Sequence, residues 1–213
     1  MDVLNELEEK LIIIKSCILS NIVYNDIIKT VMENRRESNM CERDKARITK
    51  EQIEELIKLA LDQLYERDRY LVDNRPFLKE RNGNHHVGER SIVFRLAHYM
   101  QNYMDSNPEY NDYVLDCEYN RNGVHAKKLP SFEKGVYPDV IIHNRGNNDN
   151  NILIMEVKTY WNDDNSHDLD KIREFIDIEG EYRFMYGVSL IIGRCRQNVS
   201  INLLTRYDYD ECQ

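Results

Sequence analysis

The chain has 213 residues, a formal net charge of −9, and 31% charged against 41% hydrophobic residues. That composition fits a globular protein of one large domain, or a compact domain with an added segment, and excludes a disordered or fibrous chain. The acidic balance excludes a polycation that coats nucleic acid indiscriminately, but not an enzyme whose working face is locally basic.

Asp2, Glu6, Glu8 and Glu9 precede the first apolar stretch, the wrong charge for a secretory signal. Leu11 to Tyr24 is interrupted by Lys15, Ser16, Ser20 and Asn21 and is too short to span a bilayer. A cytoplasmic location with no membrane partner is therefore expected. Leu4, Leu7, Leu11, Ile14, Leu19 and Val23, continued by Ile27, Ile28 and Val31, form an apolar stripe at helical spacing. Residues 35–47 are polar and read as a loop. Thr49-Lys50-Glu51-Gln52 fits a capping box, and Ile53, Leu56, Ile57, Leu59, Ala60, Leu61 and Leu64 form the core face of the helix it opens. That helix ends around Arg67 to Tyr70, and Pro76 marks a break. Residues 1–80 are expected to be a helical extension: a cap, a homodimerisation arm or a partner-binding arm. They carry no catalytic constellation.

From residue 81 the pattern changes to α/β. Residues 87–104 predict a helix with Val93, Leu96, Met100 and Tyr103 on its stripe, and Glu89 falls on that buried face. An acid there either meets the positive end of the helix dipole or points into a site. Residues 112–121 are strand-like, followed by a loop over 122–130. Two apolar strands then flank the loop 144–151: Tyr137-Pro138-Asp139-Val140-Ile141-Ile142-His143, and Ile152-Leu153-Ile154-Met155-Glu156-Val157-Lys158. Residues 166–176 predict a helix with Leu169, Ile172 and Ile176 inward; 186–193 and 199–204 predict two more strands. Three consecutive strands predict an antiparallel meander, and the later helix a crossover.

The chemistry concentrates on the central pair of strands. Side chains alternate along a strand, so Glu156 and Lys158 share a face with Val157 opposite. Charges closing a buried strand are costly unless paired or bound to a metal. If the two strands pair, Asp139 joins them. Two carboxylates suit Mg²⁺, a hard cation that keeps several waters, and a neighbouring lysine suits charge developing on phosphorus. The chemistry that suits this trio is hydrolysis of a phosphodiester. The plainer alternative is a hairpin on which Glu156 and Lys158 form an ordinary ion pair.

Pro138-Asp139, a spacer and Glu156-x-Lys158 resemble the PD-(D/E)xK nuclease superfamily, with its restriction-endonuclease-like fold. The likeness extends to Glu89-Arg90, Arg95-Leu96, Tyr99, Asp116 to Arg121, Lys127, Ile142-His143-Arg145-Gly146, Asn151-Ile152-Leu153 and Asp168-Leu169-Lys171. Over about residues 84 to 195 it is similar to a family of small, poorly characterised bacterial proteins. The resemblance implies an α-β-β-β-α-β core with one extra strand, in a nuclease-like domain over 81–213. It further implies a Mg²⁺-dependent nuclease, Mn²⁺ substituting, acting on nucleic acid, with DNA the expected substrate and endonucleolytic cutting the expected mode. Asp139 and Glu156 would hold the metal with the carbonyl of Val157, Lys158 would position the attacking water, and Glu89 would complete the acidic cluster. The alternative is a non-catalytic nucleic-acid- or protein-binding module on the same fold.

Arg121 and Lys127 are candidates to grip a phosphate, against solvated turn cations. Lys171, with Asp168, either completes the site or stands as a surface cation beside a first-turn acid. His143 either lines the catalytic face or ends a strand. Trp161 reads as core rather than a base-stacking platform. Cys17, Cys41, Cys117, Cys195 and Cys212 include no Cys-x-x-Cys pair, which disfavours zinc and a disulfide framework. Cys117 and Cys195 are expected to be buried thiols.

Overall fold

In the computed structural model of the chain, residues 48–73, 86–162 and 166–207 are described. Two compact units divide between Lys45 and Ala46. The helices expected over the first 31 residues, the loop over 35–47 and the break at Pro76 lie outside the described residues.

Helix α1, Lys50–Arg67, begins with the capping box its sequence predicts. The Thr49 hydroxyl accepts from the Gln52 N–H at 3.3 Å, and the Gln52 amide oxygen accepts from the Thr49 N–H at 2.8 Å. Its apolar stripe, Ile53 to Leu64, does not belong to a separate arm. It packs into one core with Ile92, Leu96 and Met100 of α2 (Glu89–Asp105) and with Val140, Ile142, Leu153 and Met155 of the sheet. The Tyr186 hydroxyl fastens the same junction by donating to the Ile48 carbonyl at 3.1 Å. The boundary expected near residue 80 therefore moves to residue 45, because the core face of α1 is buried against the α/β elements.

The strands are β1 (Val114–Cys117), β2 (Arg121–Asn122), β3 (His125–Ala126), β4 (Val140–His143), β5 (Leu153–Thr159), β6 (Tyr186–Ile192) and β7 (Ser200–Thr205); helix α3, Ser166–Ile176, lies between β5 and β6. Five of them form a mixed sheet in the order β1-β4-β5-β6-β7, and β2 pairs with β3 in a small hairpin. β1, β4 and β5 are the predicted antiparallel meander. β5 and β6 are parallel, so α3 is the crossover such a pair requires.

Alternation assigns the two faces of the sheet. Val140, Ile142, Leu153, Met155, Val157, Val188 and Leu190 pack on the α1–α2 side. Ile141 and Ile154 pack on the other side with Phe175 and Ile176 of α3. The result is an α/β architecture with helices on both faces. Gly187 sets the close approach of α3 to β6: a Cβ there would lie 2.3 Å from Ile172 Cγ2 and 3.1 Å from Ile176 Cγ2. Cys117 and Cys195 are exposed rather than buried, one ending edge strand β1 and the other in the turn after β6. Among the described residues no helix is long and apolar enough to cross a membrane.

Candidate active site

Because Ile154 faces α3, so do Glu156 and Lys158, two and four residues on. Val140 pairs with Met155, which brings Asp139, the residue before β4, alongside Glu156. The Asp139 carboxylate accepts the Val157 N–H at 2.7 Å. From above, the first two turns of α3 supply Asp168 and Lys171. From the far side of the sheet, the first residue of α2 supplies Glu89, whose carboxylate accepts from the Thr159 hydroxyl at 3.5 Å.

Most of these groups form one chain of alternating charge. Glu156 Oε2 lies 2.8 Å from Lys171 Nζ, and Lys171 Nζ 3.0 Å from Asp168 Oδ1. Asp168 Oδ2 lies 3.2 Å from Lys158 Nζ, and Lys158 Nζ 3.9 Å from Glu89 Oε1. With Asp139 included, four carboxylates face two ammonium groups, a net −2 when all are ionised.

That excess and the burial explain the protonation equilibria. Glu156 is 3% exposed, and burial, reinforced by Asp139 and Asp168, raises its carboxyl while the Lys171 ammonium pulls it back down. Burial also raises Asp139, against the Val157 N–H and both lysines, and raises Glu89 against Lys158. Burial pulls Lys158 and Lys171 downward, but their carboxylate partners outweigh it and hold both above the usual lysine value. Both lysines are therefore cations at neutral pH, suited to donating hydrogen bonds and charge rather than to removing a proton.

Among the described residues no three Asp, Glu, His or Cys side chains stand together as a metal-holding group. The donor set nonetheless fits Mg²⁺, which is commonly held by one or two carboxylates and completes its shell with water and substrate oxygens. Glu156 Oε1 is buried with no hydrogen-bond partner, and a divalent cation would offset the net −2 that the site carries once all its carboxylates ionise.

Other expected site residues lie elsewhere. Lys127 is not a surface phosphate grip. It is 2% exposed, with its ammonium 4.6 Å from the Tyr182 ring and within 6 Å of Tyr119, Phe175 and Phe184, and burial brings it down to about 8. Arg121 is exposed on the β2–β3 hairpin, so it does not share a cluster with Lys127. His143, at the far end of β4 from Asp139, is about 13 Å further along at ~3.3 Å per residue. It shares the α3 side of the sheet with Ile141, but it is buried, bonded to Asp116 at 2.9 Å and too far along β4 to reach the cluster. Trp161 is half-buried and stacked on His86 at 4.2 Å. Thr159 and Ser189 were not singled out by sequence. Thr159 touches Glu89, and Ser189 is the β6 partner of Glu156 in the ladder. The signal available for Ser189 was its polarity within the apolar run Tyr186 to Ile192.

The chain matches no family model and no curated protein at a significant level. A solved structure titled "Crystal structure of SSO0001" is similar at 12% identity and a TM-score of 0.29, over 70% of this chain. The likeness spans 65% of that structure's chain, less than two thirds of its length. A likeness of this depth carries no argument about fold or function.

Proposed function

We propose that this chain is a Mg²⁺-dependent nuclease of the PD-(D/E)xK type on a restriction-endonuclease-like core. One observation carries the reading: Asp139, Glu156 and Lys158 project to the same side of two adjacent strands, with a half-buried acid–base chain around them. The antiparallel meander with a helical crossover into a parallel strand is the arrangement that the superfamily resemblance implies. Asp139 and Glu156 would hold the cation, with the Val157 carbonyl beside them; when bound it would polarise the scissile phosphate and acidify a water. Lys158 would hold a phosphate oxygen and the attacking water in place and offset charge growing on phosphorus. Asp168 and Glu89 would keep that ammonium charged and aimed. The substrate class is nucleic acid, with DNA first, and the net −9 of the chain leaves attraction for phosphate to locally basic groups such as the site lysines and to the metal.

The test is incubation of the purified chain with plasmid, single-stranded DNA and RNA, each with Mg²⁺ and with Mn²⁺, beside Lys158→Ala. Wild type should cut at least one substrate, and the variant should lose about a hundredfold in rate, the scale of one electrostatic contact to the transition state. Equal cutting by both would place the activity outside this site. The competing reading, a binding module without catalysis, draws on the Glu156–Lys171 ion pair, which ties up one of the two metal carboxylates. Binding of nucleic acid without metal and without cutting would favour it.

A further inference from the structure

Lys171 occupies an unusual position for a helix lysine. Its ammonium lies 2.8 Å from Glu156 and 3.0 Å from Asp168, yet the side chain keeps 17% of its surface exposed and so has a way out. Asp168 sits three residues earlier on the same helix, so Lys171 can leave Glu156 without losing its other partner. The second oxygen of Glu156 is buried and without a hydrogen-bond partner. A divalent cation reaching that carboxylate meets an ammonium already seated on it.

We propose that Lys171 is the resident counter-ion of Glu156, displaced by the divalent metal and then taken up by a substrate phosphate, so that metal and nucleic acid promote each other's binding. The inference rests on the metal-dependent reading of this site. Displacing an ammonium weakens metal binding on its own. A polyanion that captures the released ammonium restores the lost affinity, and linkage requires the effect to be mutual. Lys171 thus favours loading of metal in the presence of substrate.

Calorimetric titration of Mn²⁺ into the full chain tests this without any turnover. It is run with and without an uncleavable phosphorothioate duplex, for wild type, Lys171→Gln, Lys171→Met and Lys171→Arg. Two neutral variants are included because Gln keeps a hydrogen-bond donor for Glu156 should Met fail to fold. Wild type should bind Mn²⁺ more tightly with the duplex present. Either folded neutral variant should bind Mn²⁺ alone about tenfold tighter than wild type, as expected from removing one contacting charge in a part-buried site, and should gain less from the duplex. Lys171→Arg, which keeps the charge, should behave as wild type.

Neutral variants that bind no tighter than wild type, or an arginine variant that binds as tightly as they do, would overturn the counter-ion role and leave the nuclease reading standing. Absence of Mn²⁺ binding by wild type and neutral variants alike would overturn both.

Discussion

Asp139 accepts the backbone N–H of Val157 at 2.7 Å, so the residue entering β4 is fastened to the middle of β5 beside Glu156. The bond, together with both lysines, favours the charged carboxylate that burial disfavours. Asp139→Ala leaves an amide without its acceptor and should destabilise the protein by about 1–3 kcal/mol. Asp139→Asn keeps an acceptor oxygen and should melt close to wild type. Both variants lose the charge and should cut nucleic acid at least roughly a hundredfold more slowly. Thermal melts beside the cleavage assay separate the two roles; equal melting of both variants would show that the Val157 contact contributes nothing to stability.

Asp168 touches both lysines, one through each oxygen. It touches neither proposed metal carboxylate and acts by positioning. Asp168→Asn keeps the shape and removes the charge that holds Lys158 and Lys171 as aimed cations. The expected loss is about tenfold to a hundredfold in kcat, the scale set by misplacing a catalytic group. The concentration of Mg²⁺ giving half-maximal rate should change little. A large rise in that concentration would instead make Asp168 a metal ligand.

Some of this site was legible in the sequence, and the limit has a physical cause. Period-two alternation placed Glu156 and Lys158 together, and the apolar runs around Val140–His143 and Leu153–Thr159 announced a strand pair that would bring Asp139 to them. The Thr49–Gln52 capping box is a local interaction and was read directly. By contrast, the union of Asp168 and Lys171 with Glu156 depends on where the α3 crossover lands, which no local pattern encodes. Lys127 shows the same limit. Its loop, rich in polar residues, reads as exposed, but Phe175, Tyr182 and Phe184 arrive from about fifty residues further on and close over it. The stripe of α1 announced a buried face without saying what buries it.

Lys127 is buried against rings, and its ammonium makes no ion pair among the described contacts. Replacing a buried charge by an apolar side chain of similar length is commonly neutral or stabilising. Lys127→Met should therefore melt at or above the wild-type temperature at pH 7 and cut at the wild-type rate. The lysine is lowered from 10.5 to about 8, so the unfolded chain holds a proton there that the folded chain releases. Through this group stability rises with pH between those values, and the variant should lose that rise. Loss of cutting in Lys127→Met would return the residue to the site.

Glu156 contributes a pH dependence of the opposite slope. Burial raises its carboxyl above the exposed value of 4.5, against the Lys171 ammonium, so in the window just above 4.5 the folded chain binds a proton that the unfolded chain lacks. Raising pH through that window disfavours folding. The groups facing it are Asp139 ahead of β4, Lys158 on β5, Glu89 on α2, and Asp168 and Lys171 on α3. His143, held neutral by burial, works the other way near its usual value of 6.5. The comparison with Glu156→Gln cancels that background. The variant should gain on wild type in melting temperature by several degrees from pH 5 to pH 9, on the usual scale of ~2–4 °C per kcal/mol for a domain of this size. A constant difference across that range would mean that Glu156 stays ionised throughout, held by Lys171.

Gly187 links the fold to the site. A methyl group added there would stand 2.3 Å from Ile172 Cγ2, inside contact distance, and 3.1 Å from Ile176 Cγ2. Ile172 is fully buried, so it cannot swing into solvent, and relief requires α3 to lift from β6. Overpacking of this kind typically costs about 1–3 kcal/mol. The same displacement carries Asp168 and Lys171 away from Lys158 and Glu156, because α3 also holds its two charged groups against the neighbouring strand β5. Gly187→Ala should therefore lower the melting temperature and slow cutting, although the residue touches none of the charged groups. Adding Ile172→Val, which removes one methyl from the crowded side chain, should recover part of both losses. Recovery of stability without any recovery of rate would separate the seating of α3 from the alignment of the lysines.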